Sequence, residues 1–331
     1  MDPTAKTPES IKVVFLGPLG TYSHQAVLKF SGKGTLQFVP QTSIREVVLH
    51  GAQDARLGHT VVVILPIENS TRGIVHEALE SLSNPHLFSQ HGLRIVDEID
   101  LTVAHALIVK SIIPNPFETI KEVRSHEQAL GQCENFLNKY LPHARRIPSH
   151  STAEAVAKLN QSPPGSVAAI ASELCAEMFG MQVLAKSIQM TQSNFTRFLV
   201  CTNNSEDERV ARMLELDRTA FSFLKNPLHA AYRLKTSVLD VGAQIASLTD
   251  TLRHNVPAPW SLYGEVYVYE PVAHVTSDRW FLFEMHGTPP EAKTYPVESD
   301  VLTQAIHSAL GLSEDATLEC LGVWQMPSVA P

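Results

Sequence analysis

Between Ile11 and Cys201 the chain alternates short apolar runs with amphipathic stretches of about ten residues, and few folds accept that pattern. Residues 11–16, 35–39, 61–65, 101–109 and 167–171 are predicted strands. Residues 23–30, 43–51, 73–82, 126–140, 152–159 and 171–179 are predicted helices; Leu130, Cys133, Leu137 and Leu141 form one stripe at helical spacing. Apolar strands that alternate with helices bury both faces of a sheet, so an open α/β architecture is expected. Periodicity leaves open whether the strands on either side of Leu101 share one sheet or form two lobes.

Beyond Thr202 the pattern changes. Residues 203–214 are polar and charged and are expected to be a linker. A small α+β module is expected over 215–290, with strands at 219–224, 244–248, 262–269 and 280–285 and a helix at 227–241. Residues 291–331 are a C-terminal extension carrying a helix at 301–310.

Composition removes several classes of function. Lys and Arg total 26 against 34 Asp and Glu, a net charge of −8, so nucleic acid and anionic membrane surfaces are not expected partners. The longest apolar run, 61–66, is far short of the ~20 residues a spanning helix needs. The first ten residues are polar and lack a signal-peptide core, and the four cysteines are widely spaced, so a reducing cytoplasm is expected. The cysteines show no metal-ligand spacing and the histidines are scattered, so no metal site is expected.

The chemistry is expected where strands end. Gly17-Pro18-Leu19-Gly20-Thr21-Tyr22-Ser23-His24 follows the first strand, and Pro66-Ile67-Glu68-Asn69-Ser70-Thr71-Arg72-Gly73 follows the third. Ser125-His126 and Ser149-His150-Ser151-Thr152 open two further helices. A hydroxyl at a helix start is first of all a good N-cap, and Ser43…Glu46, Ser125…Gln128 and Ser151…Glu154 have capping-box spacing. Several such turns in one half of a chain also gather backbone N–H groups and partial positive charge, which suits a cleft for an anion. Gln128 and Gln132 share a helix face, and Gln132 is the freer for a ligand if Gln128 caps. Glu68 is as well placed to pair Arg197 as to act on a substrate.

Three of these stretches, with a fourth at Asn194 to Phe198, together resemble the prephenate dehydratases. They are Gly17 to Ala26 (GPLGTYSHQA), Pro66 to Ser70 (PIENS), Ser125 to Ala129 (SHEQA) with Gln132-Cys133, and Asn194 to Phe198 (NFTRF). The resemblance implies a two-lobed, periplasmic-binding-protein-like catalytic domain over 11–202 and an ACT-like regulatory or dimerisation domain after it. It implies loss of CO2 and the ring hydroxyl from prephenate to give phenylpyruvate, without metal or cofactor, in a homodimer or tetramer. Thr196 would assist the leaving hydroxyl, with Glu68, Asn69 and Gln132 beside it. Thr21, Ser23 or Ser70 would hold the pyruvyl carboxylate and Phe198 would face the ring carboxylate, with Arg197, Ser125 and His126 also in the substrate site. Arogenate dehydration, prephenate decarboxylation and a non-catalytic ligand sensor are the competing readings.

The chain departs from the family at Met190, where Asp is usual. His229-Ala230-Ala231 is aligned with the family's Gly-Ala-Leu effector loop, and Thr249-Asp250-Thr251-Leu252 with Glu-Ser-Arg-Pro. On that alignment the phenylalanine site is not retained, and a dimerisation role using Tyr263, Tyr267 and Tyr269 is expected instead.

Overall fold

A computed structural model describes residues 10–31, 36–84, 87–88, 92–191, 193–218, 228–237, 241–256, 260–269, 278–287, 299–312 and 316–325. The first lobe opens with β1 (Ile11–Leu16), α1 (Tyr22–Ser31), β2 (Leu36–Gln41), α2 (Ile44–Arg56), β3 (Val61–Asn69), β4 (Gly73–Ile74), α3 (His76–Ser83) and β5 (Arg94–Thr102). The second lobe contains β6 (Ala106–Val109), α4 (Pro116–Thr119), β7 (Glu122–Ser125), α5 (Glu127–Gln132), α6 (Glu134–Tyr140) and β8 (Arg145–Pro148). It is completed by α7 (Thr152–Ala157), β9 (Val167–Ala171), α8 (Glu173–Phe179) and β10 (Gln182–Ala185). The chain then returns to the first lobe with β11 (Phe195–Thr202) and α9 (Glu208–Arg218).

The long apolar run becomes β3, whose first seven residues are all buried, because it lies inside the order β5-β11-β3-β1-β2 with helices on both faces. One face packs Val14, Val63 and Leu65 against α2 and α3. The other packs Phe15, Val62 and Phe198 against α1 and α9. The second lobe has its own sheet, β10-β6-β9-β7-β8. The expected two-lobed α/β class is therefore present.

The strand expected over 101–109 is two strands in two sheets: β5 ends at Thr102, and β6 starts at Ala106 in the other lobe. A continuous run of β-compatible residues hides such a crossover, because nothing in the local pattern marks a change of partner. The linker expected at 203–214 is largely helix α9, whose Val210, Met213 and Leu214 fall on one side and are buried under the first lobe.

The C-terminal unit comprises β12 (Leu228–Ser237), α10 (Val241–His254), β13 (Trp260–Tyr269), β14 (Asp278–Gly287), α11 (Ser299–Leu310) and β15 (Thr317–Gln325). Its strand order, β13-β14-β12-β15, is that of a split βαββαβ unit. Three sequence expectations are corrected here. Residues 227–241 are mostly strand, and 244–248 lie inside α10. Residues 291–331 are no mere appendage, since α11 covers the sheet and β15 completes it. The strand expected at 219–224 lies outside the described residues. β12 was misread because Leu228 to Ser237 mixes Ala, Leu, Arg and Lys, residues that favour helix locally; sheet pairing on both edges overrides that preference.

The effector-motif comparison fails for the same reason. His229-Ala230-Ala231 lies in β12, whereas the first helix of the unit opens at Val241-Gly242-Ala243; Thr249 to Leu252 is in the body of α10. A strand was compared with a loop, so those residues carry no weight for or against feedback.

β15 joins the two halves of the large sheet through one parallel register pair, Gly322 with Ile95. A Cβ at Gly322 would overlap the Ile95 carbonyl, so only glycine permits this approach. Ala231, Leu282, Leu321 and Trp324 continue the first lobe's core across the joint. Gly322→Ala is expected to cost ~1–3 kcal/mol through overpacking and to lower Tm by several degrees in a thermal melt.

Candidate active site

The end of β3 and the start of β11 pair antiparallel, with Asn69 opposite Thr196 and Glu68 opposite Arg197; the register then slips between Arg197 and Phe198. Such a slip re-aims the side chains beside it. Asn69 Nδ2 donates to Thr196 Oγ1 at 2.9 Å, and also lies 3.0 Å from both Asn194 Oδ1 and the Phe195 carbonyl. Asn69 Oδ1 accepts the backbone N–H groups of Thr71 and Arg72 at 3.1 Å each, which locks the amide orientation. Thr71 and Ser70 donate to Asn194 Oδ1 at 2.7 and 3.3 Å.

Thr196 thus accepts with its oxygen and keeps its hydrogen. A hydroxyl that accepts a strong hydrogen bond is a better donor to a third partner. The arrangement can present one polarised O–H to an oxygen in the cleft.

The second lobe supplies the facing wall. Thr71, Gln132, Gln189, Met190, Thr191 and Asn194 line one cavity. Gln132 Oε1 lies 2.7 Å from His105 Nε2, and His105 Nδ1 lies 2.8 Å from the Tyr22 hydroxyl, which also reaches the Ala104 carbonyl at 2.8 Å. Burial lowers the His105 pKa, opposed by its bond to Gln132, and burial raises that of Tyr22, so both are neutral near pH 7. With Oε1 toward the ring, the single ring proton sits on Nε2, and the Gln132 NH2 is left for the cavity.

Burial likewise lowers the pKa of His24. A histidine whose folded pKa lies below the unfolded value of about 6.5 binds fewer protons folded than unfolded as pH falls through that region. Stability should therefore decline from pH 7 to 5.5. The carboxylates of Glu98 and Asp207, held below their ordinary values, add a separate loss below about pH 4.5. Melting at constant ionic strength checks this, and a Tm that is flat or rises between pH 7 and 5.5 would contradict it.

Of the residues singled out in the sequence, Thr196, Asn69 and Ser70 are assembled at one strand end, and Gln132 lines the cavity beside them. Glu68 Oε2 faces Arg197 Nε at 3.5 Å, the structural pairing weighed for it. Arg197 is not a substrate ligand: it is 5% exposed and paired with Glu98 and Glu284. Phe198 is a core residue, because alternation after the register slip turns it into the first lobe. Ser125 is fully buried and donates to the Ile170 carbonyl at 2.6 Å, so neither cleft nor cap uses it. The cap is His126, whose Nδ1 accepts from the Gln128 N–H, leaving the Gln128 side chain out of a capping box. Thr21 spends its hydroxyl on the Pro18 and Leu16 carbonyls, and Ser23 is buried in the first turn of α1.

Reasoning from sequence missed His105, which sat inside a predicted strand. It also gave no role to Tyr22, Asn194 or Gln189, whose Oε1 accepts the His105 backbone N–H at 2.9 Å. Tyr22 and Gln189 meet His105 across 83 and 84 residues of chain, so no local signal announces them.

Residues 13–206 match the prephenate dehydratase family, more than half of the chain. The chain belongs to that family. It is 33% identical over 193 residues to the bifunctional chorismate mutase/prephenate dehydratase of Escherichia coli (strain K12), covering 58% of this chain and 47% of that protein. The chain thus spans about half the length of the curated relatives it matches. Among solved structures, the prephenate dehydratase of Arthrobacter aurescens in complex with L-Phe superposes with a TM-score of 0.70 at 21% identity, over 97% of this chain and 93% of that one. GqqA, described as a novel type of quorum quenching acylase, superposes at 0.68 with 19% identity, over 96% and 98%. At these identities the likeness shows the fold alone, and the activity must be argued from the site.

Proposed function

We propose that this family member is a prephenate dehydratase, a carbon–oxygen lyase that acts in phenylalanine biosynthesis. The observation that carries the reading is the Asn69-to-Thr196 hydrogen bond at 2.9 Å, which leaves the Thr196 hydrogen for the substrate's ring hydroxyl. In the reaction the C–O bond to that hydroxyl breaks and the leaving oxygen takes a proton through Thr196. The bond from the ring to its carboxylate breaks as well, CO2 departs, and its electron pair completes the aromatic ring. One proton is drawn from solvent overall, and the products are phenylpyruvate, CO2 and water.

Aromatisation supplies the driving force, so the site's task is to orient the substrate and assist one poor leaving group. The Gln132 amide is positioned to hold polar groups of the substrate from the opposite wall. The departing carboxylate loses its charge in the transition state and should not be gripped strongly. Met190, half-exposed in the cavity wall, is an apolar surface suited to it.

In this reading the split βαββαβ unit is an ACT-like domain in a cytoplasmic enzyme. Its sheet ends at β13, whose outer edge suits pairing with a second copy in a homodimer. Tyr263, expected as a dimer contact, faces Arg197, and Tyr267 packs on the first lobe's core. Among the described residues no helix is long and apolar enough to cross a membrane.

Incubation of the purified protein with prephenate, with chromatographic identification of the products, tests the proposal. Phenylpyruvate is the expected product. A non-aromatic hydroxylated product, or no turnover of prephenate, would overturn the reading.

A further inference from the structure

The C-terminal unit reaches the active-site strand through one buried ionic cluster. Arg197, adjacent to Thr196, donates through Nη1 to Glu98 Oε2 at 3.0 Å and to Glu284 Oε2 at 2.9 Å, and through Nη2 to Glu284 Oε1 at 3.0 Å. Glu284 therefore takes the guanidinium in a two-pronged grip, the geometry that best fixes its plane. Three more residues of the C-terminal unit close the cluster. Trp324 Nε1 donates to Glu98 at 3.0 Å, His229 Nδ1 lies 3.4 Å from Glu98, and the Tyr263 ring faces the guanidinium at 5.5 Å. His229, Glu98 and Trp324 are at most 1% exposed.

Glu284 is not among the residues that line the cavity, yet it holds the side chain next to Thr196 at the point where β11 slips register against β3. Thr196 lies one residue before the slip, and Arg197, on the opposite face of the strand, is held at the slip itself.

Resting on the reading of Thr196 as the group that assists the leaving hydroxyl, we propose that Glu284, from the C-terminal unit, is a positioning residue for the reaction, acting on Thr196 through Arg197. The C-terminal unit is then a structural part of the active site. A shift of β14 relative to the first lobe is transmitted to the reacting hydroxyl through one ion pair.

The test compares full-length wild type with Glu284→Gln, Glu284→Asp and Glu319→Gln. Glu319 pairs with Arg233 in the same unit, away from Arg197, and so controls for general loss of stability. Glu284→Gln should lower kcat on the order of 10- to 100-fold with KM within about threefold, since misplacement of a reacting group by about 1 Å has that effect. Glu284→Asp, which keeps the charge, should recover part of the loss. Glu319→Gln should lower Tm but leave kcat within about twofold.

Hydrogen–deuterium exchange over 195–198 is the readout independent of turnover. Protection there should fall in Glu284→Gln and not in Glu319→Gln. An unchanged kcat with unchanged exchange in Glu284→Gln, or equal losses in the Glu284 and Glu319 variants, would overturn the proposal. If wild type fails to turn over prephenate, the dehydratase reading fails on its own, and the exchange comparison still decides whether Glu284 holds the strand.

Discussion

Thr196→Ala lowers kcat for prephenate by ~10²–10⁴-fold, about 3–5 kcal/mol of transition-state stabilisation, with little change in KM. The magnitude is that of one positioned proton donor. Thr196 is small and half-buried at the start of β11, and its hydroxyl is held by one strong donor, Asn69. Alanine removes the hydroxyl and leaves Asn69 Nδ2 with Asn194 Oδ1 and the Phe195 carbonyl as acceptors, so the fold should be almost unaffected. A change in Tm of no more than a degree or two is part of the expectation. Thr196→Ser keeps the hydroxyl and should retain much of the activity. Steady-state kinetics on prephenate alongside thermal melts decide the matter: a Thr196→Ala enzyme within threefold of wild type removes Thr196 from the mechanism.

Arg197→Met has the largest expected effect on stability, about 3–5 kcal/mol, because it strands buried carboxylates rather than because it deletes a contact. Burial on its own would lower the Arg197 pKa and raise that of Glu98. The pairing with Glu284 and Glu98 outweighs this and raises Arg197, while His229 and Arg197 hold Glu98 below its ordinary value. With Arg197 gone, Glu98 at 1% exposure retains, among the described residues, Trp324 and His229. It must then ionise unpaired or take up a proton, and either costs free energy. Arg197→Met with Glu98→Gln and Glu284→Gln, which removes all three charges together, should recover much of the loss. Chemical denaturation of the single and triple variants measures both. A single variant as stable as wild type would show that the cluster contributes nothing.

The site was only partly legible in the sequence. Strand-end turns and their polar residues were readable, because a turn after an apolar run must be exposed and its residue types are confined to it. Asn69 and Ser70 were found that way, whereas Thr196, at a strand start, came only from the resemblance to the prephenate dehydratases; their mutual contacts follow from the β3–β11 pairing. Arg197 and Phe198 were misplaced in the substrate site. Alternation separates them from each other, but only the register slip and the strands on either side decide which face meets solvent and which meets the core. Ser125 was misplaced because a hydroxyl before a helix suits a cap and a buried strand end equally well until the Ile170 carbonyl is seen beside it.

Two properties were determined by the sequence alone. The α/β class follows because a run such as Val61 to Leu65 can be buried only as an inner strand. The polar strand ends follow because Glu68 to Gly73 cannot be buried after it. Tertiary structure decided the rest: where the chain crosses between lobes after Thr102, that Leu228 to Ser237 is strand and not helix, and that Glu284 closes on Arg197 from another unit. Each of these depends on partners distant along the chain. Local preference is worth a few tenths of a kcal/mol per residue, whereas pairing on two edges or satisfying a buried charge is worth several.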